Sequence, residues 1–143
     1  MYKKILVALD TTASDKDLLI HAAALAAAHG SELVLLHVAD GWVARNFDQL
    51  NLAGSEEMRA DWKYLEDTAA RLRAETGIAV STRLGLGSPP SQILAAAESE
   101  QVDLIAMASH GHRLLGDLIH GSTIDTVRHG AKVAIIVVPP RGV

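Results

Sequence analysis

The residues best able to do chemistry are concentrated between Ala108 and Thr123, where His110, His112 and Arg113 stand among Gly111, Gly121, Ser122 and Thr123. The run follows a short apolar segment that reads as a buried strand. A glycine-rich loop that leaves a strand and enters a helix is a phosphate cradle: Gly111 lets the backbone approach an anion and Gly121 permits unusual backbone angles. Ser122 and Thr123 offer hydroxyl and amide donors at a helix start, where the dipole favours negative charge. The first ligand to consider is a nucleotide, with Arg113 a permanently charged partner for phosphate oxygens or else a solvated loop arginine. Ser122 with Asp125 three residues on is also a capping-box variant that needs no ligand. Asp125 adds a negative charge in the first turn, which opposes a triphosphate unless a cation offsets it. His110 and His112 have no carboxylate at ligand-like spacing, so solvated histidines are expected there rather than a metal site.

These residues need a scaffold that brings strand ends together. Five apolar runs, Ile5 to Leu9, Glu32 to Val38, Ile78 to Leu84, Asp103 to Ala108 and Val133 to Val138, alternate with helical segments, which predicts a parallel α/β sheet. Only 3% of residues are aromatic, so the core is aliphatic, as suits strands covered by helices on both faces. Ser14 with Asp17 has capping-box spacing before a first helix that Gly30 stops. A second helix is expected from about Ser55 to Thr76, with Met58, Trp62, Leu65, Ala69 and Leu72 as one apolar stripe, ended by Gly77. Ser88-Pro89-Pro90 opens a third helix with Ile93, Leu94 and Ala97 on its buried face. A fourth begins near Ser122 and ends around Gly130, and Pro139-Pro140 halts the last strand, after which the final residues are expected to fray. Asp40 to Gly54 reads either as a mobile flap or as an extension of the second helix carrying an apolar clamp.

In an open parallel sheet, ligands bind beyond the carboxyl ends of the strands where strand order reverses. That rule selects Asp10, Val38 to Asp40 and the loop after Ala108. A carboxylate at Asp10 repels phosphate, so it accepts hydrogen bonds from a ribose hydroxyl or an adenine amino group, unless it is simply a turn aspartate joining Thr11 and Thr12 in capping the first helix. His21, His29, His37, His120 and His129 are scattered and read as packing or surface residues. Neither a dinucleotide-binding glycine fingerprint nor a Gly-Lys-Ser/Thr loop occurs.

The 143 residues carry a net charge of −4 and no cysteine. One domain is expected over 1–143, burying roughly 70% of its unfolded surface. The charge gives no general attraction to nucleic acid or anionic lipid. Without cysteine there is no disulfide or thiolate chemistry, as fits a cytoplasmic chain. Leu18 to Ala28 is far short of the roughly 20 apolar residues that span a bilayer.

Lys4 to Asp10, Leu35-Leu36-His37-Val38, Gly87-Ser88-Pro89, Val102 to Ile105 and Val133 to Val138, in that order, make the chain resemble the universal stress protein family along essentially its whole length. The ATP-binding branch carries Gly-x2-Gly-x9-Gly-Ser/Thr. Here Gly111, Gly121 and Ser122 match that pattern and Ala108 replaces the first glycine, while Ala8 stands where a proline is frequent. The resemblance implies a Rossmann-like, adenine nucleotide alpha hydrolase-like sheet in the order 3-2-1-4-5. It implies adenosine bounded by Ala8, Leu9, Asp10, Val38 and Met107, with Ala108, His110, Gly111, Gly121, Ser122 and Thr123 around ribose and phosphates. It also implies a homodimer through the last strand, Val133 to Val138, whose apolar edge would otherwise be an aggregation hazard. Three readings follow. The first is a cytoplasmic stress-response module that binds ATP, AMP or cyclic AMP, with Mg²⁺ bridging phosphates and a protein partner of unknown identity. The second is a nucleotide-independent dimeric interaction protein, and the third a slow ATP hydrolase. No catalytic residue is assigned.

Overall fold

The computed structural model describes residues 1–39, 52–109 and 123–141. Five strands, β1 (Lys4–Leu9), β2 (Glu32–Ala39), β3 (Val80–Leu86), β4 (Leu104–Ala108) and β5 (Ala134–Val138), form one parallel sheet in the order β3-β2-β1-β4-β5. The chain winds outward from β1 through β2 to β3, then crosses back to place β4 on the other side of β1. Strand order therefore reverses between β1 and β4, the geometry that opens a crevice at their carboxyl ends. Helices α1 (Asp15–His29), α2 (Leu52–Thr76) and α3 (Pro89–Ser99) and a helical segment over 123–130, here α4, cover the sheet.

The aliphatic composition is spent on two cores, one per face. Ile5, Val7, Leu33 and Leu35 point to one face and pack against Leu18 and Ala22 of α1 and Leu65 and Ala69 of α2. Leu6, Val34 and Ile105 point to the other and pack against Ile93 of α3 and Val127 of α4. This is the period-two alternation of a strand buried on both sides.

Several boundaries depart from the sequence expectation, each for a local reason. The third strand begins at Val80 rather than Ile78, because residues 77–79 are used to leave α2: Gly77 adopts φ 72° and the Ile78 amide donates to Thr76 Oγ1. The first helix does not use a Ser14–Asp17 capping box. Ser14 is already in helical backbone geometry with no side-chain cap bond, and it is Asp15 that receives amide protons, from Asp10 and Thr11. Ser88 likewise makes no side-chain cap bond, although proline occupies the first turn as expected. Pro90 at the second helical position has no N–H to offer it.

The second helix reaches back to Leu52, so 52–54 of the irregular region belong to it, while 40–51 lie outside the described residues. Its apolar stripe is shorter than expected. Leu65, Ala69 and Leu72 are buried, but Trp62 is 44% exposed. Trp62 lies about 80° round the helix from Leu72, whereas Asp61 lies only about 20° from it and faces inward. The last strand stops at Val138 before the prolines, and Arg141 does not simply fray, since its amide donates to Asp17.

Candidate functional site: the crevice at the carboxyl ends of β1 and β4

A cavity of about 330 Å³ opens at the strand-order reversal, a size within the usual range for a small-molecule site. Of the residues selected from sequence, Ala8, Leu9, Asp10, Val38, Met107, Ala108 and Thr123 line it. His110, Gly111, Arg113, Gly121 and Ser122 lie outside the described residues, as do His112 and His120. The walls are largely aliphatic: Ala8 and Met107 come from neighbouring strands in register, Leu36 and Val38 from β2, and Pro89 and Ile93 from the start of α3.

Polar groups gather on the β1–β2 side. Asp10 combines the two roles open to it, lining the cavity while its Oδ1 accepts the Thr12 amide at 3.0 Å. The Thr12 and Ser14 hydroxyls also donate to this carboxylate, which shapes the turn as well as the cavity wall. Three residues from outside the loop region also border the space. His37 Nδ1 lies 2.9 Å from the Leu9 carbonyl, which can only accept, so that nitrogen carries the proton. Its Nε2 faces Asp61 Oδ2 of α2 at 3.4 Å, and Glu57, one turn earlier, completes that wall. His37 is thus a lining residue anchored to the Leu9 carbonyl and set beside Asp61 rather than a packing or surface histidine. His21 and His129 do fit that description, each turning Nδ1 to a carbonyl four residues back on an exposed helix face.

Behind the Asp10 turn sits Asp15, 2% exposed. It receives the Asp10 amide at 3.0 Å, the Thr11 amide at 2.9 Å and the Tyr64 hydroxyl of α2 at 2.7 Å. Burial pushes its carboxyl up to about 6, against the opposing pull of these hydrogen bonds. Burial and the Asp15 carboxylate together hold the Tyr64 phenol above its ordinary range. Sequence reasoning missed Asp15, Tyr64, His37 and Asp61; the inward phase of Asp61 and Tyr64 on α2 was the available signal. Asp125 is not in the cavity: it is exposed and paired with Arg128 at 3.1 Å. Among the described residues no cluster of three metal-ligating side chains occurs.

A doubly wound parallel sheet with an aliphatic crevice at its switch point defines a class of ligand-binding α/β proteins. Residues 1–139 match the model of the Universal stress protein family, and the chain belongs to that family. Universal stress protein MJ0577 of Methanocaldococcus jannaschii is 30% identical over 154 residues, spanning 96% of this chain and 95% of the relative. The solved structure of MJ0577 superposes with a TM-score of 0.76 at 27% identity, covering 100% of this chain and 99% of that one. Two structures at 18% identity share the fold. One is a universal stress protein in complex with cAMP (TM-score 0.72, 97% and 98% covered). The other is the universal stress protein from Archaeoglobus fulgidus in complex with dAMP (TM-score 0.70, 95% and 97% covered).

Proposed function

We propose that this protein binds an adenine nucleotide, ATP foremost, in the crevice between β1 and β4, and acts as a nucleotide-dependent regulatory or interaction module of a cytoplasmic stress response. The observation that carries the reading is the cavity itself: a slot at the switch point with aliphatic walls from β1, β2, β4 and the start of α3, and with Asp10, Glu57 and Asp61 among its lining residues. The adenine is held between Ala8, Val38 and Met107, and Asp10 accepts a ribose hydroxyl. Electrostatics orient the ligand. Asp10, Glu57 and Asp61 all stand on the β1–β2 side, so a polyphosphate turns away from them toward Ala108 and Thr123. There the amides near Gly111, Gly121 and Ser122, with His110 and Arg113, receive it at a helix start. Mg²⁺, where bound, bridges the phosphates and offsets their charge. Neighbours in complex with cAMP and dAMP support the ligand class.

The protein is a binding module before it is an enzyme, and any hydrolysis is slow or depends on a partner. A homodimer through Val133 to Val138 belongs to the same reading. The turn bonds that Asp10 already makes to Thr12 favour a second reading, in which the crevice is architecture and the dimer alone binds partners. Calorimetric titration with ATP, AMP and cyclic AMP, with and without Mg²⁺, decides between them. Wild type is expected to bind and Gly121→Val to lose phosphate-dependent affinity. Absence of wild-type binding at millimolar ligand sinks the first reading in favour of the second.

A further inference from the structure

We infer that Asp15 and Tyr64 are a positioning pair that sets the Asp10–Thr11 turn for the nucleoside and makes helix α2 the element that registers occupancy of the crevice. The inference rests on the adenine-nucleotide reading and adds to it the route by which binding is communicated.

Three adjoining backbone groups around Asp10 are held by side chains that α2 contacts. The Leu9 carbonyl is held by His37, which faces Asp61 of α2, while the Asp10 and Thr11 amides are held by Asp15, which receives Tyr64 of α2. The backbone on both sides of the Asp10 side chain is therefore tied, through one intermediary each, to neighbouring positions on a single helix. A displacement of Asp10 that stretches these bonds beyond hydrogen-bonding distance is taken up by α2 or breaks one of them.

Two features indicate that the turn is held against its own preference. Thr11 sits at φ 63°, the left-handed region that a β-branched residue disfavours. Asp15 is a buried carboxylate with no cation bonded to it among the described residues. Asp10 from its own loop and Tyr64 from α2 face it, and Arg71, further along α2, acts on Tyr64. A carboxylate is an acceptor with two oxygens, and here both are used: Oδ1 for Asp10, and Oδ2 for Thr11 and Tyr64. Protonating it takes an acceptor away from groups that can only donate, and so loosens the turn.

The test uses Tyr64→Phe, which removes one hydroxyl and keeps the ring, and Asp15→Asn. Adenosine serves as a probe whose binding is free of phosphate ionisation, and AMP as the charged one. In the ligand-free wild type, the Asp10 and Thr11 amide NMR signals are expected to titrate together with a midpoint of about 6. The step disappears in Asp15→Asn and moves to higher pH in Tyr64→Phe, because the phenol stabilises the ionised carboxylate. Adenosine affinity is expected to fall on the same midpoint, and to drop by about fivefold to tenfold in either variant at neutral pH. AMP is expected to raise hydrogen-exchange protection along α2 in the wild type and not in Tyr64→Phe. Variants that bind both probes like wild type, with the same pH profile and the same α2 protection, overturn the inference and leave the nucleotide reading intact. A wild type that binds neither probe overturns both, even where the amide titration is seen.

Discussion

A buried carboxylate held by hydrogen-bond donors, with no cation bonded to it among the described residues, is a cost the fold carries. Asp15 binds protons more tightly in the folded state, its pKa moving from 3.8 to about 6. Stability conferred by its neutral form is therefore lost as pH rises through that window. At roughly 1.4 kcal/mol per unit this amounts to about 3 kcal/mol between about pH 4 and pH 7. Urea unfolding midpoints across that range are expected to carry this downward slope in the wild type and to lack it in Asp15→Asn. Glu100 has the opposite sign: its hydrogen bond to Lys4 lowers its pKa, so its contribution is lost on acidification, and the variant comparison separates the two. At this scale the sequence was legible wherever a rule of position applied. Asp10, Val38 and Ala108 stand at or just beyond strand ends, which short apolar runs mark, whereas Ala8, Leu9 and Met107 rest on the family resemblance. Asp15–Tyr64 and His37–Asp61 are contacts between residues far apart in the chain: the phase of α2 turns Asp61 and Tyr64 inward, but no local pattern states which residues they meet there.

Elements were legible where one signal dominated. Gly30 ends α1 in the left-handed region, at φ 67°, its amide reaching the Ala26 carbonyl. Nothing lies within 4 Å of the position a β-carbon would take there. Gly30→Ala is thus expected to cost about 1 kcal/mol from backbone conformation alone, read as a lower denaturation midpoint with an unchanged slope. Leu65 of α2 is fully buried in the core it shares with α1 and the sheet. Leu65→Ala is expected to cost about 2–5 kcal/mol by the same measurement. The stripe misled at Trp62, because a regular three-and-four spacing carries no information on where the helix turns from the sheet to solvent, whereas Met58 is partly buried. The Ser14 capping box misled because the Ser14 hydroxyl is engaged by Thr12 and Asp10 of the preceding turn and its backbone is already helical.

For the whole molecule, the alternation of apolar runs with helical segments was enough to give a parallel α/β sheet, since parallel strands need crossovers, while the order 3-2-1-4-5 rests on the family resemblance and is the one observed. The edge is where tertiary structure refines the expectation. Within β5, Ile136 packs against the α1–α2 core and Val137 is 40% exposed. A charge at Ile136 therefore tests folding as much as pairing, and Val137→Lys is the cleaner probe. Sedimentation is expected to give a two-chain species for the wild type and a monomer of unchanged helical content for Val137→Lys. A monomeric wild type at micromolar concentration refutes pairing through this strand.

The exposed indole of Trp62 has a practical corollary. The chain has two tryptophans, and Trp42 lies outside the described residues. Trp62 rides on the wetted side of α2, one residue from Asp61 and two from Tyr64, while the aliphatic interior holds no tryptophan among the described residues. The emission of this fluorophore is therefore a reporter of the solvent around α2 rather than of interior packing, and melting of the sheet is better followed by far-ultraviolet circular dichroism.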